Sequence, residues 1–318
     1  FYYKKDWGFR LSKNNLKLIK SKLSRSKDKK IKVLIDSSFK NGFMNYGEIL
    51  LKGKSKKEIL ISTYICHPSL ANDNLSGVIL TILLAKFLKS KDNLKWSYRI
   101  IFIPETIGAI AYIYKNLNKL KKIDTGFNIT CVGGKGKFSI KKSWDEDHFV
   151  NDLVKNILIN ENLKFKTYDY DIHGSDERQF SYHGLGINIC SLFKDKYYDY
   201  KEYHSSLDNL NFVKSNQISK SLDIYKKIIN KLEEQSIFLS SNKYSEPMLS
   251  KHNLYPDVGG SILPKKDKAN FLDNILWILF MCNGKKTSDQ IKRKLKISNL
   301  NYNQIISILN SKKLINHV

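Results

Sequence analysis

Several side chains able to hold a metal, move a proton or grip a carboxylate fall just after apolar runs of this 318-residue chain. His67 and Asp73 follow "ILISTYI", and Glu105 follows "RIIFIP". Asp176, Glu177 and Arg178 lie in "IHGSDERQF", and His204 and Asp208 lie in "EYHSSLDNL". Imidazole with carboxylate is a zinc donor set, and a catalytic zinc site leaves one coordination position open. A carboxylate close to the ion but not bound to it can take the proton of an attacking water. Each residue also has a plainer reading. A single His is more often structural, and Asp73 ahead of "NLSG" can cap the next helix. Glu105 after Pro104 can be a first-turn acid favoured by a helix dipole. "YHSSLDNL" can be a hydrogen-bonded turn. Arg178 either pairs with Asp176 or Glu177 or recognises a substrate carboxylate in bidentate fashion. The order of these groups supports the functional reading: they sit at successive predicted strand ends, where ligands of open parallel sheets bind.

The elements that must position them alternate. "EILISTYI", "YRIIFIP", "GFNITCV" and "GINICSLF" are short runs rich in β-branched residues and read as buried strands. "SGVILTILLAKFLKS", "AIAYIYKNLNKLKK" and "DHFVNDLVKNILINENL" carry helical spacing. Strands alternating with helices predict an α/β layered domain with a largely parallel sheet. "KIKVLIDSS" and "NYGEILLKGKS" suit an extra β element ahead of that sheet, and "SNQISKSLDIYKKIINKLEEQ" a closing amphipathic helix. A linker rich in Pro and Gly, with Pro247, Pro256, Gly259, Gly260 and Pro264, precedes a tail of three helical patterns. Thr287 and Asn299–Asn301 are N-cap candidates there, and three short helices suggest a helix-turn-helix or winged-helix unit.

Apolar residues form 42% of the chain, enough for a core and too many for a disordered protein. No apolar run reaches the roughly 18 residues of a membrane span, and "FYYKKDWGF" lacks the apolar region of a signal peptide. The net charge of +25 suggests a polyanion partner. Yet the excess is nearly all Lys in a chain crowded with Asn, Ile and Tyr, which favours compositional bias. The tail's Lys285, Lys286, Lys292, Arg293, Lys294 and Lys296 read as a solvated face, so nucleic acid is not the expected partner. Cys66, Cys131, Cys190 and Cys282 form no C-x-x-C pair, which predicts a reducing, cytoplasmic setting without disulfides.

Taken in order, "ANDNLSG", "PETIG", "SDERQF" and "YHSSLDNL" resemble A-N-D-N-x-S-G, E-E-x-G, S-D-H-x-x-F and Y-H-T-x-x-D. These are motifs of the zinc aminopeptidases with the phosphorylase/hydrolase-like sheet, a family that includes glutaminyl cyclases. The resemblance runs from about Ile61 to Val213. It implies that Asp73 is a bridging metal ligand, His67 and His204 are ligands, and Glu105 is the general base. It also implies that Asp176, Glu177, Arg178, Tyr203 and Asp208 surround the substrate. Three positions depart from the pattern: Thr106 and Thr130 stand where the family has metal-binding acids, and Ser69 where an acid orients the histidine. One zinc ion is therefore expected rather than two. If Glu105 is a ligand of that ion, the base is absent or is Asp176 or Glu177.

Together with "ISTYICHPSLANDNLSG", "ITCVGG" and "EYHSSLDNLNFV", the departures resemble a bacterial branch, the aminopeptidase-like domain proteins, over nearly the whole chain. Members lie near polysaccharide-biosynthesis genes and have a small inserted β domain and a winged-helix tail. The implied architecture is a three-layer αβα mixed sheet over residues 1–264, a β insertion at about 28–58, and a winged-helix-like unit over 265–318. The expected activity is metal-dependent hydrolysis of an amide bond in a small peptide, an amino-acid conjugate or an N-acylated sugar. The competing reading is a catalytically degenerate ligand-binding or regulatory protein whose winged helix binds DNA. The apolar helix "NFLDNILWILFMC" should meet the main domain or a second subunit, so a homo-oligomer is compatible with the sequence.

Overall fold

The β-branched runs pair into one mixed sheet of seven strands in the computed structural model, which describes residues 6–8, 11–38, 40–255 and 270–318. Helix α1 (Lys13–Arg25) precedes β1 (Gly47–Leu51), β2 (Glu58–Tyr64), α2 (Gly77–Lys89), β3 (Ser97–Ile103), α3 (Ile107–Leu120) and β4 (Ile123–Asn128). Then come β5 (Phe138–Lys141), α4 (Phe149–Asn160), β6 (Phe165–Tyr168), the short α5 (Glu177–Phe180), β7 (Asn188–Phe193) and α6 (Ser215–Glu234). The strand order is β1-β3-β2-β4-β7-β5-β6. Strands β3, β2, β4 and β7 are mutually parallel neighbours, while β1 runs antiparallel to β3 and β5 antiparallel to β7. The four parallel strands are the four apolar runs recognised in the sequence. β5 and β6 have only four residues each, too few to show a period.

Alternation along each strand divides the core between two helical layers. Ile59, Ile61, Ile100 and Phe127 face α2, α4 and α6. Leu60, Ile101, Ile103 and Ile189 face α3 and α5. The stretch Ala71–Lys89 has the length and hydropathy of a membrane span. Its Leu80, Leu84 and Leu88 are packed against the sheet, which explains that apolar character. Arg99 fixes the edge register: its Nε bonds Glu58 Oε2 on β2 at 2.7 Å, and its Nη1 pairs with Glu48 on β1.

The segment expected to form a small β insertion does not form a separate unit among the described residues. The described residues between 28 and 46 contain no assigned strand, and β1 joins the edge of the main sheet. Its positions are mostly exposed, so it cannot build a core of its own. Helix α1 likewise buries no residue.

After α6 the chain forms β8 (Ile237–Ser240), α7 (Asn270–Met281), β9 (Asn283–Thr287), α8 (Ser288–Leu295), α9 (Asn299–Ser311) and β10 (Ile315–His317). Three antiparallel strands in the order β10-β8-β9 share a core with these helices, built from Phe238, Ile275, Ile278, Ile291, Tyr302, Ile305 and Leu309. The tail sheet thus takes in a strand that lies before the expected boundary. The boundary itself, at 264/265, and most of the expected linker lie outside the described residues. Thr287 caps α8 through a full capping box with Gln290, while α9 is capped by Ser298, one residue before the expected Asn299. The tail is tied to the main domain by polar contacts: Gln235 Nε2 to Asp289 Oδ2 at 2.9 Å and Arg293 Nη2 to Asp152 Oδ2 at 2.8 Å. On α7, Trp277 and Phe280 remain exposed.

Candidate metal centre

Because β3, β2, β4 and β7 are parallel neighbours, their C-terminal ends open onto one edge of the sheet. Past β2 the chain carries His67, past β3 Glu105, past β4 Thr130 and Cys131, and past β7 His204. Sharp turns aim these residues inward. Three non-glycine residues there have positive φ: Thr106 (60°), Cys131 (52°) and His204 (51°). Such backbone is costly for a β-branched residue and persists only where the surroundings impose it. At Thr106, Ile107 N donates to Glu105 O at 2.7 Å, and the Thr106 N–H donates to Asp176 Oδ1 at 2.7 Å. The tight turn and that carboxylate together swing Glu105 towards the site.

The loop that carries Asp73 is tied down by hydrogen bonds on every side. Asn72 Oδ1 accepts from Gly133 N at 2.9 Å. Asn74 Nδ2 donates to Thr63 Oγ1 at 2.8 Å and Tyr64 O at 3.1 Å. The N–H groups of Asn72 and Asp73 donate to the Asp208 carboxylate at 2.6 and 3.0 Å. Asp73 makes no capping bond to α2. Its side chain is buried, with Oδ1 taking the Tyr64 hydroxyl. Oδ2 lies 3.0 Å from His204 Nε2, yet no donor is aligned on it as a hydrogen bond.

One donor atom each from His67, Asp73 and His204 lie within 4.8 Å of one another. Zinc bonds of about 2.0–2.2 Å in a tetrahedron put neighbouring ligand atoms roughly 3.4 Å apart. Two imidazoles and one carboxylate, whose buried Oδ2 accepts no hydrogen bond, suit such an ion, with a fourth position left open. His204 stacks on Tyr203, centroids 4.0 Å apart and planes 11° apart, which fixes its ring.

Glu105 stands outside that trio. It converges with Cys66 and His67 instead, and its Oε1 accepts from Ser175 Oγ at 2.5 Å. Burial raises its carboxyl above the usual range, opposed by the Ser175 hydrogen bond and by His67. Cys66 Sγ lies 3.2 Å from His67 Nδ1, and burial pushes its thiol up to about 11.

The other expected site residues divide. Asp208 is buried and committed to the loop backbone, so it positions Asp73 and does not face a ligand. Glu177 is buried too, accepting from Lys141 Nζ at 3.1 Å, Tyr197 OH at 2.7 Å, Asn128 Nδ2 at 3.0 Å and Ser175 N at 3.0 Å. Asp176 is fully buried; burial, reinforced by Glu105 and Glu177, holds its carboxyl well above the usual range. Glu177 is fully engaged by its donors; Asp176 takes one, Thr106 N, on Oδ1, and its buried Oδ2 has no hydrogen-bond partner. Arg178 forms no ion pair within 4.0 Å among the described residues and is exposed in a cleft of about 550 Å³ with Trp144, Tyr170, Ile172 and Tyr182.

Three further residues shape the site with little sequence signal. Tyr64 reads as an ordinary strand residue within "ILISTYI". Ser175 lies inside a noted motif, but nothing in its type announces a bond to Glu105. Lys141 is buried at 1% side-chain exposure and holds the loop 171–177 through Asp171 O, His173 O and Glu177; in the sequence it is one lysine among many.

Residues 7–235 match the family model described as "Domain of unknown function (DUF4910)". A Clostridium acetobutylicum protein named "Putative polysaccharide biosynthesis protein with aminopeptidase-like domain" is 38% identical over 287 residues, 90% of this chain and 63% of that protein. The chain thus spans just under two thirds of that relative's length. A crystal structure of a "putative peptidase" from Clostridium acetobutylicum superposes with a TM-score of 0.70 at 32% identity, covering 100% of this chain and 69% of the other. A zinc aminopeptidase from Bacillus subtilis gives 0.51 at 17% identity over 58% of this chain and 49% of its own. A glutaminyl cyclase from Porphyromonas gingivalis gives 0.50 at 13% identity, over 59% and 77%. The last two share the fold.

Proposed function

The chain belongs to the DUF4910 family and has the aminopeptidase-like fold, and on that premise we propose that it is a metal-dependent hydrolase of amide bonds. The observation that carries this is the convergence of His67, Asp73 and His204 at the sheet edge, with Glu105 beside them. The N/O donor set suits zinc, which when bound supplies a Lewis acid for the scissile carbonyl. Asp73 contributes the charge that retains the cation; its buried Oδ2 accepts no aligned hydrogen bond and lies 3.0 Å from His204 Nε2. Glu105, held by Ser175, accepts the proton of the attacking water and returns it to the leaving amine. The substrate is a short peptide, an amino-acid conjugate or an N-acylated sugar, the last in keeping with the polysaccharide-biosynthesis name of the Clostridium relative.

Elemental analysis of the full chain, purified without chelator and equilibrated with zinc, should return about one ion per chain. His67→Ala and His204→Ala should each lower that occupancy. A folded wild-type protein that retains no zinc would sink the proposal. The degenerate-binder reading draws on Thr106 and Thr130, which put hydroxyls where acids were expected. It predicts ligand retention without turnover on any amide panel.

Arg178 forms no ion pair within 4.0 Å among the described residues, donates Nη1 to Ile172 O at 3.5 Å, and lies in a cleft lined by aromatic side chains. It is assigned to a carboxylate on the substrate. A charge-assisted hydrogen bond is worth about 1.5–3 kcal/mol. Arg178→Ala should therefore raise KM roughly 10–100-fold for a substrate carrying a carboxylate, with kcat held. The matched carboxamide should show no change; an equal loss for both would remove Arg178 from recognition.

A further inference from the structure

Asp73 is the one carboxylate of the His67–Asp73–His204 group, and its two oxygens have different surroundings. Oδ2 faces His204 Nε2 and lacks a hydrogen-bond donor, whereas Oδ1 takes the phenol of Tyr64. That phenol is buried at 2% exposure, and its oxygen lies 2.6 Å from Thr130 Oγ1, itself fully buried. Thr130 Oγ1 is shared between that phenolic oxygen and Cys131 Sγ, which lies 3.3 Å away. A carboxylate that bridges two cations must offer one oxygen to each, at about 2.0–2.2 Å for zinc. Oδ1 is instead engaged by the Tyr64 phenol. The other convergent trio, Cys66, His67 and Glu105, draws on the same imidazole and is not an independent second set.

We infer that Tyr64, backed by Thr130, takes the place of a second cation at Asp73, so that the centre is mononuclear by construction and Tyr64 is its positioning residue. This rests on the proposed metal site. The phenol fixes the rotation of the carboxylate and directs Oδ2 to the ion. Hydrogen-bond partners of metal ligands typically account for 10–100-fold in metal affinity. The Tyr64 hydroxyl reaches the centre through Asp73, while its ring packs against His67 with centroids 5.4 Å apart, so loss of the hydroxyl alone should act on affinity and leave the number of ions unchanged.

The test is a zinc titration of the full metal-free chain by calorimetry, with elemental analysis at saturation. Wild type should bind one equivalent. Tyr64→Phe, which keeps the ring and the packing, should also bind one equivalent, with the dissociation constant raised roughly 10–100-fold. Circular dichroism of the metal-free forms should match. Thr130→Val gives a second reading: it removes the hydroxyl beside the phenolic oxygen while leaving the Tyr64–Asp73 bond, and should weaken zinc less than Tyr64→Phe. Two equivalents of comparable affinity in the wild type, or unchanged affinity in Tyr64→Phe, would overturn the inference and leave the metal-site proposal standing. No zinc in a folded wild type would bring down both.

Discussion

Glu105→Gln should leave zinc bound and lower turnover roughly 10²–10⁴-fold, the usual contribution of a positioned general base. The substitution keeps size and shape, removes the charge and leaves an amide that cannot take up a proton at neutral pH. Of the two roles that the sequence left open for this residue, we propose the base. A ligand would join His67, Asp73 and His204 in one group, but Glu105 converges only with Cys66 and His67. Its Oε1 is instead held by Ser175 Oγ at 2.5 Å. Asp176 and Glu177, the other candidates for the base, are buried and already bonded to Thr106 N and to Lys141, Tyr197 and Asn128. Turnover and zinc content should be measured on the same preparations. A fall in zinc affinity parallel to the fall in rate would make Glu105 a ligand, and wild-type turnover would remove it from the chemistry.

Lys141→Met should cost about 3–5 kcal/mol of stability, the usual penalty for leaving one partner of a buried ion pair behind. Lys141 and Glu177 are each 1% exposed, and their Nζ and Oε1 lie 3.1 Å apart. Without the ammonium, Glu177 becomes a buried charge facing three remaining donors. Adding Glu177→Gln removes that charge, so the double variant should recover most of the loss, since replacing both members of a buried pair is often close to neutral. Urea midpoints of the three proteins measure this. If the double variant is as unstable as Lys141→Met, the uncompensated charge is not the cause. Because Ser175 N donates to Glu177 Oε2, the single variant should also loosen the loop that holds Glu105.

The four long buried strands and the main helices were legible in the sequence because a strand buried on both faces must be continuously apolar, and an amphipathic helix must repeat every three to four residues. The positions of His67, Asp73, Glu105 and His204 were legible for a related reason: polar residues directly after such runs have to lie at strand ends. Sequence order could not separate the acids from one another. Asp73, Asp208, Asp176 and Glu177 all sit in polar loops, yet only Asp73 turns a carboxylate oxygen to the histidines, while Asp208 ties down the loop backbone and Glu177 neutralises a buried lysine. Such roles depend on which donors approach each oxygen in space. Those donors come from residues as far apart as Asn72 and Asp208, or Lys141 and Glu177. The same holds for Tyr64 and the strands β5, β6 and β8. A tyrosine in an apolar run has one appearance whether its hydroxyl meets water or a metal ligand, and a four-residue strand is defined by its neighbours and not by its own period. Local patterning fixes what is hidden and where chains turn; only tertiary packing decides which hidden polar atom is satisfied and which is left open for an ion.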